Sequence, residues 1–227
     1  MSGHPRPPGG PLVPPGGSAG SAGAAALDLR ADASAGPAAM AAAPPVAAAL
    51  PRRLNIGCGP QPLPGWLNAD RLAGPGVDLV CDLRSGLPLA EASMHCAVAM
   101  HLLQDLAWGE IVPALAELRR ALVPGGVLRI GVPDLDRAID AYRSGRGDYF
   151  HVPDGDARRI GAKLVTQIIW YGSVRTPFTF DFACEVLEQA GFHAPQRCAF
   201  RCSASGDASI TALDNRERET LFVEARA

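Results

Sequence analysis

Several residues that can contact a ligand follow directly after short apolar runs of this chain. They are the glycine turn Gly57-Cys58-Gly59, the acids Asp70 and Asp82, and His101. Glycines at such a turn let the backbone bend sharply and approach a ligand that a Cβ atom would block. If the runs are parallel strands, these residues meet at the carboxyl edge of one sheet, where open α/β sheets bind their ligands.

The glycine turn is not typical of a dinucleotide site. Such a site needs a third glycine three residues after the second, and this chain has Pro62 there, with Pro60 just before it. The two acids favour a nucleoside instead. Asp70 is expected to accept hydrogen bonds from both ribose hydroxyls, and Asp82 to orient an adenine amino group while Leu83 packs on the ring. For each acid taken singly, the alternative is a turn-forming Asp with no ligand.

Hydrophobic patterning predicts the elements that hold these residues. Strand-like runs fall at residues 53–56, 66–69, 77–81, 96–100, 127–132, 197–203 and 221–225, and amphipathic helices at 108–122 and 179–190. The first five runs are short and apolar without alternation, as in parallel strands buried on both faces. Strands separated by helices predict an α/β protein with a doubly wound sheet.

Composition divides the chain into two parts. Residues 1–50 are dominated by Ala, Gly and Pro and contain no aromatic residue, so they are predicted to be a disordered tail. Residues 51–227 are predicted to form one domain. The net charge of −2 without a basic stripe argues against nucleic acid as a partner, and no run has the length of a membrane helix. The six cysteines form no Cys-x-x-Cys pair, which predicts a reduced, cytoplasmic protein without a metal site.

Four stretches of the chain carry a resemblance to a known family. They are residues 54–59 (Leu-Asn-Ile-Gly-Cys-Gly), 65–70 (Gly-Trp-Leu-Asn-Ala-Asp), 81–83 (Cys-Asp-Leu) and 118–130 (Leu-Arg-Arg-Ala-Leu-Val-Pro-Gly-Gly-Val-Leu-Arg-Ile). They resemble the core of class I S-adenosylmethionine-dependent methyltransferases. The Gly-Trp-x-Asn-x-Asp stretch is similar to a small bacterial subfamily in which the first helix is nearly absent. The resemblance implies a mostly parallel seven-stranded sheet and S-adenosylmethionine as the cofactor.

The resemblance also implies which residues bind that cofactor. Gly57 and Gly59 would contact its methionine part, and Asn55 and Cys58 of the same stretch are included with them. Asp70 would bind the ribose, and Asp82 and Leu83 would contact the adenine. His101 would lie near the methyl group.

Methyl transfer is an in-line displacement at an activated carbon, so the protein mainly positions the acceptor. An oxygen acceptor also needs a base. His101 is the first candidate, with a packing histidine as the alternative, and Asp105 is the second, with a turn cap as the alternative. Relatives often carry Glu-His where this chain has Gln104-Asp105. A non-catalytic, methyltransferase-like binding or partner subunit is therefore the alternative function.

Residues 134–175 are predicted to form a lid or acceptor pocket. Tyr142, His151 and Tyr171 are the substrate-binding candidates there, and Trp170 is interpreted as ordinary aromatic core. The predicted acceptor is a small molecule or glycoside of a biosynthetic pathway, methylated at oxygen. A nicotinamide-dependent oxidoreductase is the other rival, and the missing third glycine argues against it.

Overall fold

The computed structural model describes residues 52–227, which contain one seven-stranded sheet. The strands are β1 (Arg53–Ile56), β2 (Leu67–Asp70), β3 (Leu79–Val80), β4 (Met94–Met100), β5 (Leu122–Pro133), β6 (His193–Cys198) and β7 (Thr220–Arg226). The helices are α1 (Trp108–Ala121), α2 (Leu135–Arg143), α3 (Ile160–Ile169) and α4 (Phe180–Gln189). The tail predicted at residues 1–50 lies outside the described residues.

The strand order is β3-β2-β1-β4-β5-β7-β6, with β1 to β5 parallel and β7 antiparallel to both of its neighbours. The predicted α/β fold with a mostly parallel seven-stranded sheet is therefore confirmed. Strand order reverses at β1, which pairs with β2 on one side and with β4 on the other. This reversal leaves a crevice beyond the carboxyl ends of β1 and β4, where ligands bind in such sheets.

Helices α1 and α4 cover one face of the sheet, and both agree closely with their predicted ranges. The backbone N–H of Ala107 donates to the Glu110 carboxylate at 2.7 Å at the start of α1. Thr179 caps α4 by accepting from the backbone N–H of Phe182. Alternating apolar residues of the strands pack beneath these helices, among them Leu54, Ile56, Ala97, Ala99, Leu128, Ile130 and Val132.

Residues 199–215 cover the other face of the sheet, where Arg129 of β5 is fully buried. The Arg129 guanidinium binds both carboxylate oxygens of Asp214, at 2.7 and 2.6 Å, and one oxygen of Glu224 at 2.6 Å. It also donates to the carbonyl oxygen of Cys202 at 3.1 Å. These bonds attach residues 199–215 to the middle of the sheet.

The structure differs from the prediction in the last third of the chain. Strand β6 lies at His193–Cys198 instead of residues 197–203, because residues 199–202 turn away to present carbonyl groups to Arg129. Helices α2 and α3 occupy much of the region that was predicted only as a lid or pocket. No helix within residues 52–227 is long and apolar enough to cross a lipid bilayer.

Replacing Arg129 by Met should lower the free energy of unfolding by about 3–5 kcal/mol, because Asp214 and Glu224 then lose the charge that balances them in the interior. Urea unfolding followed by circular dichroism measures the change. Arg143→Met, at an exposed position of α2, is the matched control. Equal unfolding midpoints for the two variants would contradict this role for Arg129.

Candidate functional site

The glycine turn lies between β1 and the crevice. The backbone N–H groups of Gly57 and Cys58 both donate to the carbonyl oxygen of Ala69, at 2.8 and 3.1 Å, which ties the turn to β2. Gly57 has a φ of +71°, and a Cβ atom there would lie 3.0 Å from a methyl group of Leu102. Gly59 has a φ of +49°, and no heavy atom lies within 4 Å of the position of its missing Cβ atom. The turn is therefore packed on one side and open at Gly59.

Asp70 joins the end of β2 to this turn. One carboxylate oxygen accepts from the backbone N–H of Gly59 at 2.9 Å, and the other accepts from the backbone N–H of Leu72 at 2.9 Å. Each carboxylate oxygen can accept a further hydrogen bond. The structure thus brings two of the predicted cofactor residues, Gly59 and Asp70, into direct contact with acceptor capacity remaining.

Asn55 and Cys58 are buried behind the turn, with exposures of 3% and 5%. The Asn55 amide donates to Asn68 at 3.0 Å and to the carbonyl oxygen of Gln61 at 3.2 Å. Asn68 in turn donates to the Asp78 carboxylate at 3.1 Å. This polar network shapes the segment between β1 and β2. The role of Asn68 and Asp78 was not predicted, although each is a polar residue inside an otherwise apolar strand-like run.

Asp82 follows β3 and begins a short 3-10 helix at Leu83–Ser85. Its carboxylate accepts from the backbone N–H and the guanidinium of Arg84, and these bonds lower its pKa to about 2. Leu83 is buried in the main core. An adenine amino group would therefore share the Asp82 carboxylate with Arg84, and the Leu83 side chain already packs against protein.

His101 ends β4 with a φ of +51°, and its backbone N–H donates to Gly131 at 2.7 Å. Its Nε2 atom lies 3.2 Å from the hydroxyl oxygen of Thr220. Burial lowers the pKa of the imidazole to about 3, the positive charge of Arg216 adds to this effect, and a hydrogen bond with Asn215 opposes it. The imidazole is therefore neutral near pH 7 and a weak base, which argues against His101 as the residue that deprotonates an acceptor.

A cavity of about 190 Å³ lies beside His101, beyond the ends of β4 and β5. Its walls come from several elements and include Gln104, Asp105, Asp134, Leu135, Tyr149, Gln167, Trp170, Arg216 and Glu219. His101 belongs both to the cofactor residues predicted from the sequence and to the wall of this cavity. The cavity is thus adjacent to the crevice at which strand order reverses.

Asp105, the second catalytic candidate, lines the cavity. The residue is open to solvent, yet neighbouring protein atoms partly desolvate its carboxyl and raise its pKa. A hydrogen bond from Gln104, at 3.2 Å, and the positive charges of Arg71 and Arg216 oppose that rise of the pKa. A carboxyl group with a raised pKa beside a cavity is a better proton acceptor than the buried His101 imidazole.

The three predicted substrate residues lie outside the lining of this cavity. Tyr142 and Tyr171 are on the surface with exposures of 44% and 46%. His151 is half-buried, with its Nε2 atom 3.4 Å from the Glu219 carboxylate. Tyr149 and Trp170 line the cavity instead, so the interpretation of Trp170 as core was wrong. The packing of α2 against α3 determines which side chains of this region face the cavity. Residue type alone does not indicate that packing.

The comparisons with known proteins are distant. No protein-family model matches the chain. An uncharacterized 37.1 kDa protein in transposon TN4556 of Streptomyces fradiae is 30% identical over 148 residues, which is 63% of this chain and 38% of that protein. The match thus spans well under half of that relative's length.

Solved structures of methyltransferases also resemble the chain. One is a Thermotoga maritima S-adenosylmethionine-dependent methyltransferase described as a possible histamine N-methyltransferase. It is 17% identical to this chain, the alignment covers 77% of this chain and 81% of that chain, and the TM-score is 0.49. Another is a Mesorhizobium loti S-adenosylmethionine-dependent methyltransferase that is 20% identical. The alignment covers 80% of this chain and 94% of that chain, and the TM-score is 0.46. At these values the acceptors of those proteins do not transfer to this chain.

The lowered pKa of His101 predicts how stability changes with pH. The unfolded chain takes up this proton near pH 6.5 but the folded chain only near pH 3, so acid favours the unfolded state within that window. Between pH 7 and pH 5 the wild type should lose about 2 kcal/mol more than His101→Asn, a variant that tolerates the positive φ. Urea unfolding at both pH values measures this difference. His193→Asn is the control, and a loss in His101→Asn as large as in the wild type would refute the prediction.

Proposed function

We propose that this protein transfers a methyl group from S-adenosylmethionine to a small molecule bound in the cavity beside His101. The observation that carries the proposal is the contact between Gly59 and Asp70 at the point where strand order reverses. There an open backbone turn meets a carboxylate with free acceptor capacity, which suits a ligand that carries both a ribose and an amino-acid part.

The residues present fit this cofactor. Gly59 leaves open the space that a side chain would fill, and Asp70 can accept from two ribose hydroxyls. Among the described residues, the segment between β1 and β2 contains turns and no helix. It therefore lacks the helix N-terminus on which a dinucleotide pyrophosphate rests, and this favours a methyl donor over a nicotinamide cofactor. When bound, S-adenosylmethionine supplies an electrophilic methyl group.

The chain itself has two tasks in this reaction. Its cavity walls hold the acceptor near His101, where the ends of β4 and β5 exclude bulk water from one side. Asp105 receives the proton that the acceptor loses, because its carboxyl lines the cavity and has a raised pKa. His101, neutral and directed towards Thr220, contributes to the shape of the wall.

Asp70→Asn should weaken the binding of S-adenosylhomocysteine at least tenfold, since one charged acceptor for the ribose hydroxyls is lost. Isothermal titration calorimetry with the full chain measures the affinity, and circular dichroism verifies the fold. Asp181→Asn, at an exposed position of α4, is the control. Unchanged affinity in Asp70→Asn would remove Asp70 from the ribose role, and absence of saturable binding by the wild type would refute the proposed cofactor.

Transfer of labelled methyl groups to a metabolite extract distinguishes the enzyme from its alternative. A methyltransferase-like subunit without activity would bind S-adenosylhomocysteine weakly or not at all and would label nothing. The enzyme should label an extracted small molecule, and Asp105→Asn should reduce this labelling while leaving cofactor affinity unchanged.

A further inference from the structure

We infer that the acceptor is a small amine, which enters the cavity as an ammonium ion and is held by Asp105 at the end of the cavity that Gln104 forms. This inference rests on the proposed function, because it names the substrate class of the same site. An amine differs from the oxygen acceptor, with His101 as its base, that the sequence alone predicts.

The charges around the cavity favour a cation. Three carboxylates and one guanidinium, that of Arg216, are in its lining. Asp134 is already neutralised, since its buried carboxylate pairs with Arg137 at 3.3 Å and with Arg197 at 3.0 Å. Asp105 differs, because the structure gives it no salt bridge among residues 52–227 and only one side-chain hydrogen bond, from Gln104.

Glu219 adds a second carboxylate that is only loosely balanced. Its Oε2 atom is 3.4 Å from His151, which is charged only when protonated, and its Oε1 atom is 4.0 Å from Arg216. Arg216 is itself about half exposed, with 49% of its side chain open to solvent. Among the groups that line the cavity, the two carboxylates of Asp105 and Glu219 thus face the one guanidinium of Arg216. A cation at the lining therefore meets more negative than positive charge, and an anion meets the reverse.

Gln104 provides an independent observation at the same end of the cavity. Its side chain lines the cavity and is only 5% exposed. The amide nitrogen donates to the carbonyl oxygen of His101 at 2.5 Å and to the Asp105 carboxylate at 3.2 Å. Both partners are acceptors, so the amide orientation is fixed. The Oε1 atom of this cavity-lining side chain is then left buried without a hydrogen-bond partner in the described part of the chain.

The remaining wall suits an organic cation. Trp170 and Tyr149 line the cavity, and aromatic faces attract ammonium groups. A carboxylate for the charge, an unmatched amide oxygen and aromatic walls together fit an amine with an apolar body. A carboxylic acid or a phosphate ester would instead place its negative charge near Asp105 and Glu219.

The reaction balances with the groups present. The ammonium ion first loses a proton to the Asp105 carboxylate, which frees the nitrogen lone pair. That lone pair forms the new bond to the methyl carbon while the carbon–sulfur bond breaks and its electron pair stays on sulfur. The product is a methylated ammonium ion, and the proton on Asp105 passes to water.

Matched probes that differ only in the functional group test this inference. They are benzylamine, benzyl alcohol and benzoate, and cyclohexylmethylamine with its alcohol and acid. Their binding to the full chain is measured by calorimetry at pH 7, with and without S-adenosylhomocysteine. The amines should bind at least tenfold more tightly than the alcohols, since a hydrogen bond to a charged group adds that much, and the acids should bind least.

Variants locate the binding. Asp105→Asn should weaken amine binding at least tenfold and leave alcohol binding unchanged, whereas Asp181→Asn should change neither. Gln104→Leu should weaken amine binding as well, because it removes both the amide oxygen and the bond that orients Asp105.

The outcomes separate this inference from the proposed function. Binding of S-adenosylhomocysteine without preference for amines, or with no amine binding, would overturn the inference alone. Amine binding that depends on Asp105, in a protein that binds no S-adenosylhomocysteine, would support the amine site and overturn the methyltransferase function.

Discussion

The buried charge of Arg129 is the constraint on which the site depends most. A guanidinium at the centre of a sheet must be paired, because an isolated buried charge is very unfavourable. Asp214 and Glu224 pair it and so fix residues 199–215 across the sheet face. Arg216 and Thr220 follow within six residues of Asp214 and stand at the cavity and against His101. The ion cluster on one face thus determines where one wall of the cavity lies.

Much of the fold follows from the sequence because burial on a sheet leaves a local signature. Strand β1 was predicted within its observed bounds, and α1 and α4 within one residue at each end. Helices α2 and α3 were missed, because the glycines and aromatic residues of that region favoured a lid or acceptor pocket. Strand β6 was misplaced, since residues 199–202 satisfy Arg129 instead of a neighbouring strand. That choice depends on a residue about 70 positions away in sequence, which no local pattern shows.

For the candidate site, the sequence predicted the positions of the backbone segments but not the directions of their side chains. Parallel strands bring their carboxyl ends together, so the meeting of Gly59 with Asp70 followed from topology. The directions of side chains did not follow. Asn55 belongs to the stretch that resembles a cofactor turn, yet its amide is directed inward to Asn68. His101 ends the expected strand, yet its ring is directed to Thr220 of β7, a strand far away in sequence.

Gln104 and Asp105 illustrate how structure changes the meaning of a sequence departure. Proteins of the family that the chain resembles often carry Glu-His at these two positions. The sequence alone therefore suggests that this chain has lost a catalytic group there. In the structure the side-chain amide nitrogen of Gln104 donates to the His101 carbonyl oxygen and to the Asp105 carboxylate. The backbone carbonyl oxygen of Gln104 accepts from the backbone N–H groups of Arg175 and Thr176. The two residues therefore connect the end of β4, the cavity and the segment after α3. A carboxylate held in this way remains a proton acceptor. Under the proposed function, the exchange therefore changes which group faces the acceptor without removing a base.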